Sequence, residues 1–306
     1  MLETQTNQRA AGRLRRLLRG PSKARAAAVA VDTAGLQRAH YDKIADTYEL
    51  HMSDQWSHKY RRRFINEPLT QGLALDDRNV LDAMCGSGQM AAFLLEAGAR
   101  VTGLDVSSKV IAQFGAKLPK ASPVEASILC SGFEDACFDH VFVVCGLHHV
   151  HPNVDKALDE IYRILKPGGY FCFAEPHAGS LADVGRRIWY RFDRMFESNE
   201  AGIDLEHMKG RNADRFEFEM TRYTGTFGYL LVFNSLIFRL PLGLKRYYTG
   251  PILGLEALIE PLQGRLTSCM VLSRWKKKSD TKVGLQTDCV ELSEAYPRPS
   301  TRPGQN

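Results

Sequence analysis

A glycine-rich loop flanked by two carboxylates is the strongest chemical signal in the sequence. Gly86 and Gly88 follow an apolar run of strand length and precede a helical pattern, and glycines at that point let the backbone turn tightly and approach a ligand closely. Asp105 ends the next apolar run, 19 residues after Gly86, where a carboxylate can bind both hydroxyls of a ribose. The pattern predicts a nucleoside cofactor.

Asp82 indicates which nucleoside cofactor it is. With Ala91, the loop also satisfies the spacing of a dinucleotide-binding fingerprint, but a pyrophosphate binds backbone amides and the positive end of a helix, and a carboxylate four residues before Gly86 would repel it. S-adenosylmethionine carries an ammonium and a sulfonium, which a nearby carboxylate stabilises. We therefore predict S-adenosylmethionine as the cofactor; a purely structural turn is the alternative.

Two histidines and a glutamate form the candidate catalytic group. Methyl transfer is an in-line displacement for which the protein aligns the reactants and excludes water, and a hydroxyl acceptor also benefits from a base near neutral pKa. His148 and His149 follow one apolar strand and Glu175 ends the next, so all three should reach the same rim of a sheet. We predict His149 as the base, His148 as its substitute and Glu175 as the acid holding the imidazole; packing and helix capping are the alternative roles.

These side chains need a sheet to position them. Apolar strand-like runs alternate with amphipathic helical patterns along the middle of the chain, at residues 79–84, 90–97, 100–104, 107–118, 123–127, 140–145, 153–165 and 170–174. Such alternation is typical of a parallel sheet covered on both faces, so the fold class is doubly wound α/β. Ligands of such sheets bind at the carboxyl ends of the strands.

The sequence resembles the class I S-adenosylmethionine-dependent methyltransferases, and within them the bacterial small-molecule type. The likeness is carried by residues 41–48 (YDKIADTY), 81–88 (LDAMCGSG), 104–107 (LDVS) and the stretch 137–169. The resemblance implies a Rossmann-like sheet of seven strands, with Asp82, Gly86 and Gly88 around the methionine part of the cofactor. It places Asp105 and Val106 at the ribose, and Tyr41 on a lead-in helix that closes over the cofactor, although Tyr41 could equally pack on a helix face.

The resemblance also bears on the adenine contact and on the catalytic base. Members of the family usually have an acid that contacts the adenine at the position where this sequence has Ser127. Serine makes only modest hydrogen bonds, so backbone groups or Phe133 are alternative adenine contacts. In sugar O-methyltransferases of this fold, a matching histidine pair and the acid after the next strand are the proposed base and its partner.

The chain divides into three parts. Residues 1–38 are a basic extension, 39–275 the methyltransferase domain, and 276–306 a polar tail that cannot bury enough surface to order itself. Within the domain, an enlarged insertion at about 178–265 is apolar, aromatic and rimmed by arginine, which suits an apolar, aromatic, polyketide-like or lipid-linked acceptor. The same aromatic residues could instead form core on the far face of the sheet, and residues 227–244 could contact a membrane surface.

Charge and cysteines exclude several functional classes. Residues 4–31 carry seven basic side chains and no acid, so the remainder has a net charge of −2 against +5 for the whole chain, and a nucleic-acid groove is not expected. The seven cysteines are odd in number and lack a Cys-x-x-Cys motif, which predicts reduced thiols, no metal and a cytoplasmic protein. The arginine-rich start leaves organellar import as a minor alternative.

The predicted function is O-methylation of a small metabolite in biosynthesis. Methylation of carbon or nitrogen by the same fold stays open. Two functions of other classes are a nicotinamide-dependent oxidoreductase, which Asp82 disfavours, and a noncatalytic partner protein with the same fold.

Overall fold

The computed structural model describes residues 54–189, 201–233 and 241–279. Seven strands form one sheet in the order β3-β2-β1-β4-β5-β7-β6. Strands β1 to β5 pair in parallel, whereas β7 is antiparallel to both β5 and β6. The strands are β1 (Asn79–Ala83), β2 (Arg100–Asp105), β3 (Ser122–Glu125), β4 (Phe138–Val144), β5 (Leu165–Pro176), β6 (Phe216–Thr224) and β7 (Met270–Lys277). The predicted α/β sheet of seven strands is confirmed.

Eight α-helices accompany the sheet within the described residues. They are α1 (Gln55–Arg61), α2 (Glu67–Thr70), α3 (Gln89–Glu96), α4 (Ser108–Lys117), α5 (Val154–Ile164), α6 (Leu181–Trp189), α7 (Leu205–Asn212) and α8 (Lys245–Ile259). Both faces of the sheet are buried: on β5, Phe171 and Phe173 belong to one apolar cluster and Cys172 and Ala174 to the other. Successive side chains of a strand point to opposite faces, so β5 is covered on both faces, as expected for a strand in the interior of such a sheet.

Two element ends differ from those expected from the sequence. The side chain of Asn153 makes no capping bond to α5. Strand β7 continues to Lys277, although the sequence predicts that the tail begins at 276. Lys277 is 9% exposed, and its Nζ donates to the carbonyl oxygens of Tyr162 and Leu165 at 2.7 Å each. The ammonium thereby satisfies backbone acceptors at the end of α5, which is why a lysine can end a buried strand.

The segment at 178–265 contributes to the sheet as well as to its surroundings. It supplies β6, whose Phe216 and Phe218 pack against the buried Trp275 with ring centroids 5.6 and 4.8 Å apart. For these two aromatic residues the core role applies. The side chains at 186–192, the residues 234–240 and Tyr41 lie outside the described part, as do the extension at 1–38 and most of the tail. None of the described helices is long and apolar enough to cross a membrane.

The cysteines correct one expectation. Of the six described cysteines, five have free thiols, but Cys130 is disulfide-bonded. The prediction that every cysteine is reduced is therefore wrong for Cys130. Cysteine number and spacing alone could not distinguish this residue from the others.

Candidate functional site

One cavity lies at the carboxyl ends of the parallel strands. Among the residues lining it are Asp82 near the end of β1, Gly86 in the following loop, Asp105 and Val106 at the end of β2, Ser127 after β3 and His149 after β4. Parallel strands bring their carboxyl ends to one edge, where the strand order reverses around β1 and β4. The residues predicted for cofactor binding therefore converge on one space, with the exception of Gly88 and of Tyr41, which is not described.

Asp82 is a buried acid at the bottom of this cavity. Asp82 is 2% exposed, and the backbone N–H of Ala91 in α3 donates to its Oδ2 at 2.9 Å. Burial raises the pKa of Asp82 to about 8, although the Ala91 bond and the positive charge of Arg61 both act in the opposite direction. A cation entering the cavity would favour the ionised form of this carboxyl.

Asp105 holds the glycine-rich loop against the end of β2. Its Oδ2 accepts from the N–H of Gly86 at 3.1 Å, and its Oδ1 accepts from the N–H of Ser107 at 3.1 Å. Burial raises the pKa of this carboxyl, and these backbone bonds oppose the rise. Each carboxylate oxygen has a second lone pair, so Asp105 can fix the loop and still accept from a diol.

Gly88 serves the packing of the loop and does not line the cavity. Its φ is +88°, in the left-handed region, and a Cβ there would lie 2.6 Å from the Leu118 side chain and 2.9 Å from the Phe114 ring. The glycine is therefore required where α3 begins against α4. This differs from the expected contact with the methionine part of the cofactor.

Ser127, the predicted adenine contact, lies in the chain after β3. Ser127 is 3% exposed, and its Oγ accepts from the N–H of Leu129 at 3.2 Å, so part of its bonding capacity stabilises the local turn. Ile128 and Leu129 also line the cavity. Phe133, the alternative adenine contact, packs its edge on Phe138 at 5.0 Å and is not among the lining residues.

Glu175 organises the loop that follows β4. It is fully buried, and its Oε1 accepts from the N–H groups of Gly146 and Leu147 at 2.6 and 2.7 Å. Its Oε2 lies 2.7 Å from Nδ1 of His148 and accepts from the His148 N–H at 3.4 Å. Burial raises the pKa of Glu175 to about 7, and the surrounding N–H donors hold it below what burial alone would give.

The two histidines have different positions. Glu175 bonds to His148, whereas His149 lines the cavity; the expectation that Glu175 holds the imidazole of His149 is corrected accordingly. The two rings lie with centroids 3.8 Å apart and planes inclined by 39°. Glu175 therefore reaches His149 through His148. In the described residues, no group of three or more histidine, cysteine or acidic side chains is placed to hold a metal ion.

The comparisons with known proteins agree with this arrangement. Residues 81–173 match the family model for a methyltransferase domain. The chain carries a class I S-adenosylmethionine-dependent methyltransferase domain. S-adenosylmethionine is the cofactor that such a domain implies, and the cavity between Asp82, Gly86 and Asp105 fits it.

Relatives of the methyltransferase domain are named for the methylation of different acceptors. The chain is 32% identical over 120 residues to a malonyl-[acyl-carrier protein] O-methyltransferase of Pectobacterium atrosepticum (39% of this chain, 47% of that one). It is also 32% identical over 145 residues to a ubiquinone/menaquinone biosynthesis C-methyltransferase of Bartonella quintana (44% of this chain, 53% of that one). The chain thus spans about half the length of the curated relatives it matches.

A solved structure supports the fold. An S-adenosylmethionine-dependent methyltransferase of Thermotoga maritima superposes with a TM-score of 0.54 at 18% identity, covering 78% of this chain and 99% of that one. At this identity the likeness concerns the architecture and not the reaction.

Sequence reasoning missed two residues of the site. Arg61, at the end of α1, and Phe233, from the segment after β6, both line the cavity. A signal for Arg61 exists. It is spaced with Ser57, Tyr60 and Ile65 on the buried side of α1 and the turn that follows it, while the next two arginines are exposed. No comparable signal singles out Phe233 from the other aromatic residues of its segment.

Proposed function

We propose that this chain transfers the methyl group of S-adenosylmethionine to a hydroxyl of a small apolar or aromatic metabolite, with His149 as the general base. The observation that carries the proposal is the single cavity that Asp82, Gly86, Asp105 and His149 share at the carboxyl ends of the strands. The donor supplies a methyl group activated by its sulfonium. The chain supplies binding, alignment and a site for the acceptor proton.

Asp82 and Asp105 support the donor assignment. Burial raises the pKa of Asp82, and a cation that enters the cavity stabilises its ionised form. The donor is cationic at its methionine end. Asp105 is anchored by backbone N–H groups at the position where a diol would bind. A pyrophosphate would bring further negative charge toward both acids, which disfavours a nicotinamide cofactor.

His149 supports the hydroxyl as the acceptor group. It lines the cavity at the end of β4, and its ring lies against His148, which Glu175 orients through Nδ1. Glu175 and His148 are thus positioning residues, and His149 is the residue placed to accept a proton. The relatives are named for methylation of oxygen in one case and of carbon in the other, so carbon and nitrogen acceptors are the alternatives to test.

The acceptor is tested by tracing the methyl group. The purified chain is incubated with S-adenosylmethionine labelled in its methyl group and with a metabolite extract of the source cells. We expect label on one small metabolite and loss of that product in Asp105→Ala. Binding of the donor without any labelled product would favour a noncatalytic partner protein, and binding of NAD but not of S-adenosylmethionine would contradict the proposal.

The base is tested with two substitutions and one control. His149→Gln should lower kcat by about 100-fold or more, the usual contribution of a general base, with the donor Kd unchanged. Glu175→Gln retains an oxygen for Gly146 and Leu147 but can donate to Nδ1 of His148, so it should shift the pH–rate profile. His207→Gln changes an exposed histidine of α7 and should leave the rate unchanged. An unchanged rate in His149→Gln would favour catalysis by proximity alone.

A further inference from the structure

Helix α8 reverses the usual distribution of polar and apolar side chains. Its polar residues Lys245, Thr249 and Glu256 are buried against the rest of the protein. Its apolar residues Leu255 and Leu258 are exposed, Leu258 to 74%. A surface helix of a globular protein normally turns its apolar stripe toward the core, so the outward face of α8 is suited to an apolar environment.

The exposed apolar side chains of α8 follow a single stripe. They recur at every third or fourth position along the helix and into the turn after it, at Tyr247, Pro251, Leu255, Leu258 and Leu262. Side chains at this spacing lie on one face of a helix. We call these five residues the α8 surface. The helix has 15 residues and is about 22 Å long.

The α8 surface belongs to a larger concentration of exposed apolar side chains. Within the described residues, every large apolar side chain that is exposed lies either in 181–184 or in 227–266. The two stretches meet where the N–H of Leu181 donates to the carbonyl oxygen of Leu266 at 3.0 Å. Single exposed leucines are ordinary, but a concentration of this kind marks an interaction surface.

The charges around the α8 surface favour an anionic partner. Between residues 241 and 268, the exposed charged side chains are Arg246 and Arg265, which lie toward the two ends of the stripe. Both acids of this stretch are engaged by the protein itself: Glu256 is fully buried, and Oε1 of Glu260 pairs with Arg222 at 2.6 Å. An apolar stripe bordered by cations and without an exposed acid is complementary to anionic headgroups above hydrocarbon.

We propose that the α8 surface docks on a membrane that contains anionic lipids. The leucines lie at the boundary between headgroups and acyl chains, and Arg246 and Arg265 lie among the headgroups. The guanidinium carbon of Arg246 is 4.5 Å from the centroid of the Tyr247 ring. Arginine and tyrosine each combine an apolar body with a polar end, which suits both to this boundary.

The α8 surface adjoins the wall of the cavity. The hydroxyl of Tyr248, next to Tyr247, donates to the carbonyl oxygen of Leu231 at 2.9 Å, and Phe233 two residues further on lines the cavity. A chain docked through α8 therefore holds its cavity beside the membrane, where an apolar acceptor concentrates. The lipid contact itself goes beyond the proposed function and does not depend on it.

The inference is tested by the binding of the full chain to vesicles of phosphatidylcholine and phosphatidylglycerol, measured by co-sedimentation. Leu258→Glu/Leu262→Glu should weaken partitioning by about 30-fold or more, because two leucine side chains no longer leave water and two like charges approach the lipid. Arg246→Gln should weaken it by about fivefold, the effect of one basic residue near an anionic surface.

A matched control separates the position of the charges from their number. Ala112→Glu/Ala116→Glu adds the same two charges at the same spacing on the exposed side of α4, and should partition within about twofold of the wild type. The control is needed because residues 4–31 carry seven basic side chains, which attract anionic lipid by themselves. The Tm of each variant verifies that it is folded.

Four outcomes would overturn the inference. They are absence of vesicle binding in the wild type, unchanged binding in the double leucine variant, unchanged binding in Arg246→Gln, and equal losses in the leucine variant and the α4 control. A second copy of the chain on the α8 surface would appear as a wild-type dimer that the leucine variant dissociates in the absence of vesicles, which would also contradict the lipid contact. Failure of the proposed function is distinct, since it would leave vesicle binding without methyl transfer.

Discussion

Donor binding should become tighter with pH because of Asp82. Burial raises the pKa of this carboxyl to about 8, so most molecules carry it protonated below neutral pH. The cationic donor binds the ionised form better, and the ionised fraction rises about tenfold per pH unit below the pKa. Between about pH 5.5 and about pH 7 the donor's own ammonium stays charged, and we expect its Kd to fall by about 30-fold in the wild type.

Isothermal titration calorimetry measures both the donor Kd and the number of protons released on binding. Kd is determined across that pH range, and the proton count follows from two buffers that differ in ionisation enthalpy. We expect close to one proton released per donor bound at about pH 6.5. Asp82→Asn keeps an oxygen for the Ala91 N–H, binds the donor more weakly at about pH 7, and should lose most of the pH dependence.

The comparison of the wild type with Asp82→Asn also controls for the other charged groups at the cavity. Burial also raises the pKa of Asp105, but its titration persists in Asp82→Asn, so the difference between the two proteins isolates Asp82. A pH-independent Kd in the wild type without proton release would refute the reasoning, because it would mean that Asp82 is already ionised or does not face the donor.

The same shift has a consequence for stability. The pKa of Asp82 is higher in the folded than in the unfolded chain, so its ionisation lowers the free energy of unfolding as pH rises from about 4 to about 8, by up to about 4 kcal/mol at pH 7. Asp82→Asn cannot ionise. Its Tm at about pH 7 should therefore be no lower than that of the wild type, although donor binding is weakened.

Three further predictions concern packing and buried charges. Gly88→Ala should lower the free energy of unfolding by about 2–4 kcal/mol in urea titrations, because the alanine would be strained in the left-handed region and its Cβ would clash with neighbouring side chains. The control is Gly86→Ala, whose Cβ would meet nothing within 4 Å and which should lower the free energy of unfolding by only about 1 kcal/mol. Lys277→Met leaves two buried carbonyls without a donor and should cost about 2–4 kcal/mol, more than Lys278→Met at an exposed bond; equal losses would contradict the capping role. Lys245→Met removes the fully buried partner of the ion pair with the partly exposed Asp54, and should lower the free energy of unfolding by about 3–5 kcal/mol in the same assay. A loss below about 1 kcal/mol would contradict a structural role for that pair.

The parallel part of the sheet could be predicted because each strand is short, apolar and closed by a turn signal. Asn79–Ala83 and Arg100–Asp105 were predicted to within one residue, since Asp82 and Asp105 interrupt otherwise apolar runs at the edge where ligands bind. The end of β7 could not be found in this way. Lys277 is buried only because the carbonyls at the end of α5 lie opposite its ammonium, and that contact spans more than a hundred residues.

The site was predictable in its residues but not in its pairings. The sequence places His148, His149 and Glu175 at one rim, yet which histidine meets Glu175 depends on the turn at Leu147–His149, whose N–H groups point at the carboxylate. Gly88 has the motif spacing of a ligand contact, but its role is decided by Phe114 and Leu118 across the loop. Local spacing identifies such residues, and tertiary contacts decide what each one does.

Arg61 and Phe233 bring elements outside the sheet to the cavity at its edge. The end of α1 brings the cation, the segment after β6 brings Phe233 against it, and the fully buried Lys245 of α8 bonds Asp54 and Ser57 at the start of α1 at 2.5 and 3.0 Å. The contacts of Lys245 therefore join α1 to α8 beside the cavity. A ligand that fills the cavity should stabilise this contact, so S-adenosylmethionine should slow amide hydrogen exchange in α1 and α8, and unchanged exchange on saturation with S-adenosylmethionine would separate donor binding from this contact.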